Sequence, residues 1–294
     1  MVTFILYSAV VLIWGSTWIA VRYQVGLVPP EASVVYRIGL AAIFMFGWTI
    51  FRKLPLKFSI RDHFMMALQG GLIFSTNFFF FYHAAYYLST GVIAVIFSTA
   101  STMTIILISI PAKRWPAPRV ILGGMAGTLG IIMIFRMELI ELSTKSGALT
   151  GLILSICGTL CFSLGGIVSA RNRRAGLSVC GNTSWGMFYG ALLLTLFLFT
   201  TGHSFSFDLR MPYIVSLLYL VIVGSVIAFA AYFALLGRIK TEQAAYATVL
   251  FPIIALTLST FFENYTWSVS AFIGVVFILA GNLLVMRTSS QRSA

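Results

Sequence analysis

Long apolar runs separated by short polar breaks recur along the whole chain. Each run holds about 20 residues, enough for an α-helix to cross a ~30 Å hydrocarbon core. They fall at approximately 3–24, 31–51, 63–83, 89–110, 119–136, 147–170, 180–200, 211–236, 242–262 and 267–287. The strict alternation expected of β-barrel strands is missing from them. The pattern therefore predicts an all-α integral membrane protein with ten transmembrane helices. No break is long enough to hold a soluble domain. The first run does not read as a cleaved leader, because Met1-Val2-Thr3 has no basic group and Arg22 follows the apolar stretch.

Composition agrees. Of 294 residues, 60% are hydrophobic and 9% charged, against about 45–50% and 25% in soluble domains. That excludes a water-soluble globule, and the high hydrophobicity excludes disorder. The formal net charge of +12 comes from 19 Lys and Arg against 7 Asp and Glu. These bases stand singly or in small groups between apolar runs, so they read as topology signals and not as a nucleic-acid surface. With an inner N-terminus, fourteen bases fall in inner segments, including Arg52, Lys53, Lys57 and Arg61. Only Arg22, Arg136, Lys145 and Arg210 fall outside, and Arg37 lies within a span. The bias predicts a multi-pass protein of the inner (plasma) membrane with both termini cytoplasmic. Cys157, Cys161 and Cys180 form no CxxC pair or disulfide framework. Cys157 and Cys161 share a helix face with no nearby His or carboxylate, so they read as packing residues, with no metal and no cofactor expected.

Sliding the chain against itself by 151 residues aligns spans three to five with spans eight to ten without a gap. Thr90 then meets Thr241, Ala94 meets Ala245, Gly123 meets Gly274, Gly130 meets Gly281 and Arg136 meets Arg287. The identities are few, but the span boundaries stay in step. Two halves follow, residues 1–140 and 141–294. An odd number of spans in each half makes the second enter the membrane from the opposite side. Inverted repeats of this kind place a substrate site near the midplane between them.

Several motifs, in order, resemble the EamA-type members of the drug/metabolite transporter superfamily. Trp14-Gly15-Ser16-Thr17 is similar to their WGS(T/N) opening, and Arg37 stands in span two where those proteins often carry an Arg. The stretch FYHAAYYLSTGVIAVIFSTAS at 81–101, Ala244-Ala245 followed by Pro252, and Glu263 near the end of span nine complete the likeness. In the first half Ser101 stands opposite Pro252 and Ala112 opposite Glu263, so the proline and the acid are missing there. The resemblance implies ten helices in inverted repeats, alternating access, and movement of a small metabolite, amino acids or related compounds first.

An ionisable group inside a span is a functional candidate by default. Arg37 and His83 qualify. Arg37 lies six residues after Glu31, about 9 Å along the helix, where it either snorkels outward or faces a cavity and takes a carboxylate. His83 closes span three beside Tyr82 and could bind a polar solute with it. Glu31, Asp62, Glu242 and Glu263 lie at span ends, while Glu138, Glu141 and Asp208 lie in loops. This argues for facilitated export, or for coupling through His83, over carboxylate-based antiport.

The neutral candidates for the substrate are Trp14, Thr17 and Trp18 in span one and Asn77, Phe78, Phe81 and Tyr82 in span three. Ser98 and Ser101 in span four, Tyr232 in span eight and Tyr246 in span nine complete the set. Intramembrane hydroxyls more often serve helix packing. Pro252 is a candidate gate, since a mid-helix proline frees a carbonyl and kinks the helix. Gly123, Gly127, Gly130, Gly274 and Gly281 form small-residue faces for close helix approach. The remaining alternatives are a flippase for a lipid-linked substrate and an intramembrane enzyme. The second lacks an HExxH motif, paired acids or a Cys/His dyad. The expected partners are a small-molecule substrate and the lipid bilayer, with the chain a monomer or homodimer.

Overall fold

A computed structural model describes residues 2–111, 113, 115–135, 147–202, 205–236, 238 and 247–292. Among these residues all regular structure is helical. The helices are α1 (Val2–Arg22), α2 (Pro30–Phe51), α3 (Ile60–Ala84), α4 (Thr90–Ser109) and α5 (Pro118–Ile134). The order continues with α6 (Ala148–Arg174), α7 (Val179–Thr201), α8 (from Met211 to Leu236), α9 (Ala247–Phe262) and α10 (Val269–Arg292). Six of them, α1–α4, α6 and α7, are long and apolar enough to cross a membrane, and four shorter apolar stretches lie in α5, α8, α9 and α10. Large apolar side chains such as Ile43, Phe51, Phe199, Phe261 and Phe272 are exposed on the outside of the bundle. An apolar surface on that scale suits lipid and not water.

Local sequence explains the helix ends. Pro30 starts α2, where its missing N–H costs nothing. Ser59 caps α3 by accepting from the Asp62 amide, and Ser178 caps α7 through Gly181. The start of α4 is capped from a distant helix. Glu263, just past α9, accepts from the Thr90 amide and hydroxyl at 2.9 Å, and Ser259 accepts from the Gly91 amide at 2.8 Å. A carboxylate there satisfies free N–H groups and complements the helix dipole.

Three helices are irregular. The hydrogen-bond ladder widens to a π-helix at Gly71–Thr76 in α3 and at Tyr219–Ile227 in α8. In α4 the α-helix is interrupted at Ser98–Thr99. There the Ser98 hydroxyl donates to the Val95 carbonyl and the Thr99 hydroxyl to the Ile96 carbonyl, both at 2.7 Å. Such back-bonding competes with the ladder. Two hydroxyl residues thus mark the break in α4, while α9 carries Pro252 in its interior.

The most extensive helix contact among the described residues is that of α5 with α10. A Cβ on Gly123 would stand 2.6 Å from the Gly281 carbonyl oxygen, and one on Gly274 would stand 2.5 Å from that of Gly130. Only glycine allows backbones this close. Elsewhere α1 packs on α8 and α9, α6 on α3 and α4, α2 on α7, and α4 on α9.

Candidate functional site

Five of the candidates, Trp18, Arg37, Phe78, Phe81 and Tyr82, lie where α1, α2 and α3 meet α4. On α3, Phe78 and Tyr82 are four residues apart and share a face. That face receives Arg37 from α2. The guanidinium carbon of Arg37 lies 4.5 Å from the centre of the Phe78 ring, and its Nη1 donates to the Tyr82 hydroxyl at a long 3.4 Å. Arg37 is only 6% exposed, and its Nε has no hydrogen-bond partner. Among the described residues no carboxylate lies within ion-pairing distance of it. Arg37 is therefore buried, not snorkelling. A buried cation without a counter-charge costs several kcal/mol, and a ring face and a neutral phenol offset only part of that.

His83 turns away from Tyr82 to the first turn of α2, where its Nε2 is 3.0 Å from Glu31 Oε1. The Glu31 side chain is buried and His83 is partly exposed. Glu31 thus stands in the first turn of α2, at the span end that the sequence predicts, and the last turn of α3 packs against it. In the adjoining turn, burial pushes the Tyr86 phenol above its ordinary value, a hydrogen bond at Gly26 opposes this, and the Glu31 charge adds to it.

An aromatic cluster belongs to the same packed core as Phe78 and Tyr82. Phe97, next to the break in α4, has ring centroids 5.5 Å from Trp18 on α1 and 5.4 Å from Phe81 on α3. It also stands 4.7 Å from Phe162 on α6 and 5.9 Å from Phe251 on α9. Trp18 and Phe81 meet edge to face at 5.3 Å. Sequence reasoning selected Trp18 and Phe81 but missed Phe97, Phe162 and Phe251, which nothing distinguishes among 26 phenylalanines.

The other candidates lie elsewhere or are engaged in helix contacts. Asn77 donates to the Gly158 carbonyl at 3.1 Å, tying α3 to α6. Ser98 accepts from the Asn282 amide at 2.9 Å, tying α4 to α10. Thr17 donates to the Trp14 carbonyl and packs on Gly224 of α8. Trp14 stands against Tyr232 at 5.1 Å, in a separate contact between α1 and α8. Ser101 is half-buried on α4, and Pro252 is buried within α9. Tyr246 lies outside the described residues.

A second buried polar cluster lies nearer the other end of α3. The Gln69 carbonyl accepts from Asn182 at 2.9 Å and from Asn172 at 3.1 Å, and Asn172 also donates to Asn182 at 3.1 Å. None of the buried polar atoms of these three amides is left without a hydrogen bond. Nearby, His63 packs edge-on against Trp185 and shares a hydrogen bond with the Tyr189 hydroxyl at 2.9 Å.

A helical bundle with an apolar exterior, a glycine seam and buried polar groups at its centre defines a multi-pass membrane protein. The chain belongs to the EamA-like transporter family, which it matches over residues 1–136 and 149–287. That is a family of transporters and not of enzymes. The uncharacterized transporter YoaV of Bacillus subtilis (strain 168) is 21% identical over 97% of this chain and 96% of its own. Protein PagO of Salmonella typhimurium is 24% identical over 96% and 92%, and protein PecM of Dickeya dadantii 24% over 94% and 90%. A solved crystal structure superimposes on 99% of both chains with a TM-score of 0.68 at 13% identity, a likeness of fold alone.

Proposed function

We propose that the chain is an alternating-access exporter of a small metabolite, with amino acids or related compounds as the first substrates to test. On this reading it has ten spans, and residues 1–140 and 141–294 are inverted halves with the solute path between them. The reciprocity of the helix contacts carries the proposal. Under the 151-residue offset Gly123 corresponds to Gly274 and Gly130 to Gly281, yet Gly123 touches Gly281 and Gly130 touches Gly274. Equivalent positions exchanged in this way are the signature of a two-fold axis between antiparallel α5 and α10. The same exchange relates α1 on α8 and α9 to α6 on α3 and α4. It also maps the π-helical Gly71–Thr76 onto residues 222–227, inside the π-helical stretch of α8. Inverted repeats typically bind substrate where the halves meet, and the Phe97 cluster draws its rings from both.

Within this reading the site comprises Trp18, Arg37, Phe78, Phe81, Tyr82 and His83, joined by Glu31, Phe97, Phe162 and Phe251. Trp14, Thr17, Asn77, Ser98, Ser101, Tyr232 and Tyr246 are the outlying members. Pro252 in α9 and the Ser98–Thr99 break in α4 act as the paired points where the path opens. The protein lies in the plasma membrane with both termini cytoplasmic, as a monomer or homodimer. Coupling, where present, runs through the His83–Glu31 pair, because a proton on His83 turns that hydrogen bond into an ion pair.

The test is uptake into proteoliposomes with a panel of amino acids, and with sugars, nucleosides and a fluorescent lipid as comparators. Movement of a small solute that Trp18→Ala and Phe97→Ala abolish supports the reading. Movement of the lipid alone replaces it with the flippase. Unchanged pH dependence in His83→Ala removes coupling at that pair.

A further inference from the structure

We infer that Arg37 is the docking point for a carboxylate on the transported solute, and that the rest of that solute is apolar or aromatic. The inference rests on the transport reading but is tested by binding, so that the two can fail separately. Its basis is the hydrogen bonding of one side chain. The Tyr82 hydroxyl takes Nη1, and Phe78 covers one face of the guanidinium plane. Nε is buried without a partner, and no hydrogen bond reaches Nη2 among the described residues. Nε–H and the adjacent Nη2–H run parallel, and this edge of arginine is the one that grips a carboxylate with two hydrogen bonds in its plane. Because Phe78 occupies the face, the edge is the part of the cation left to a ligand.

The charge of the ligand follows from the surroundings. With no carboxylate in ion-pairing range among the described residues, one positive charge stands against Phe78 and Tyr82, which belong to an apolar cluster with Val34 and Ile38. A single negative charge neutralises it. A phosphate dianion would exchange an unpaired cation for an unpaired anion in the same low-dielectric shell. Trp18, Phe81 and Phe97 belong to the same packed cluster, and they supply ring faces and edges for an aromatic body. Glu31 is engaged with His83, so among the described residues no acid near Arg37 is left to select an ammonium group.

The experiment measures binding to the full chain in detergent micelles by quenching of tryptophan fluorescence. The probes are 3-phenylpropionate, its neutral amide 3-phenylpropionamide, phenyl phosphate and L-phenylalanine. The expected result is that 3-phenylpropionate binds at least about tenfold more tightly than the amide, a difference of ~1.4 kcal/mol, and also more tightly than phenyl phosphate. Arg37→Gln is expected to remove that preference while leaving the amide's affinity in place, which shows that the variant is folded. Arg37→Lys, which keeps the charge but loses the fork, retains only part of it. Equal binding of acid and amide, a preference that survives Arg37→Gln, tighter binding of phenyl phosphate, or no binding of any probe overturns the inference. Arg37-dependent binding in a protein that moves no solute leaves the carboxylate docking at Arg37 standing and overturns the transport reading instead.

Discussion

Arg210 and Arg37 stand in opposite relation to solvent and to their partners. Arg210, in the connection before α8, is 66% exposed, and its Nε and Nη2 both donate to Asp208, the latter at 2.7 Å. Arg37 is 6% exposed and has a ring face and one long hydrogen bond. Stability accounts for the first arrangement, since the Asp208 carboxylate is buried and needs its cation, but not for the second, since a buried cation needs a partner as well. Chain economy is not the explanation either. About 20 Å along α3, Gln69, Asn172 and Asn182 show that this fold can close a buried polar cluster. The open one is the group that the proposed carboxylate would complete.

The largest effect belongs to the closed cluster. Gln69→Leu removes the one acceptor of the Asn182 amide and leaves a buried donor unpaired, which costs about 2–3 kcal/mol. Thermal unfolding of the purified protein in detergent should show the loss. If Gln69→Leu is neutral, the amide cluster is not closed in the sense argued and the contrast with Arg37 weakens. Next comes a change of opposite sign. Arg37→Met puts an apolar chain of similar length over Phe78 and removes the uncompensated charge, which should raise stability by about 1 kcal/mol or more. A fall in the unfolding temperature would show that Arg37 is there to hold the fold.

Ser98→Ala should have a smaller effect. It deletes the acceptor of the Asn282 amide between α4 and α10, at about 1 kcal/mol. The break in α4 should persist, because Thr99 still bonds back to Ile96. The outcome separates the two uses of a hydroxyl in the centre of the bundle. If uptake falls far more than stability, Ser98 belongs with Arg37 and not with the amide cluster.

These contrasts mark how far the sequence could be read. Helix positions were legible because apolar length is a direct requirement of the bilayer, and α1–α4, α6 and α7 sit on runs visible in the sequence. The glycine seam was legible because backbone approach needs glycine whatever the surroundings. The π-helical stretches were not, since a one-residue shift of the ladder leaves little mark on composition and is set by packing. Glu31 was legible in its position at the start of a span but not in its burial. An acid in the first turn after Pro30 is the ordinary sign of a helix entering at an interface, and only the position of His83 on a different helix shows that it is buried. For Arg37 the sequence offered both readings, and the choice needed an inventory of its neighbours.

The smallest effect is expected at the arginine that has its acid. Arg210 holds the Asp208 carboxyl below its ordinary value of 3.8, chiefly through the side-chain hydrogen bonds and then through its own backbone amide. A lowered folded-state pKa means that the pair stabilises the fold above the unfolded carboxyl's pKa and is lost as pH falls through the folded one. Asp208→Asn should therefore be slightly less stable than the parent near neutrality, and the two unfolding curves should converge below about pH 4. Salt should shrink the gap, because the Arg210 side of the pair is exposed. A gap that survives acid and salt would mean that the neutral geometry at Asp208, where the Arg210 amide is also bound, does the work. Arg210 would then offer no measure of what an arginine gains from its acid, and the contrast with Arg37 would rest on the buried side alone.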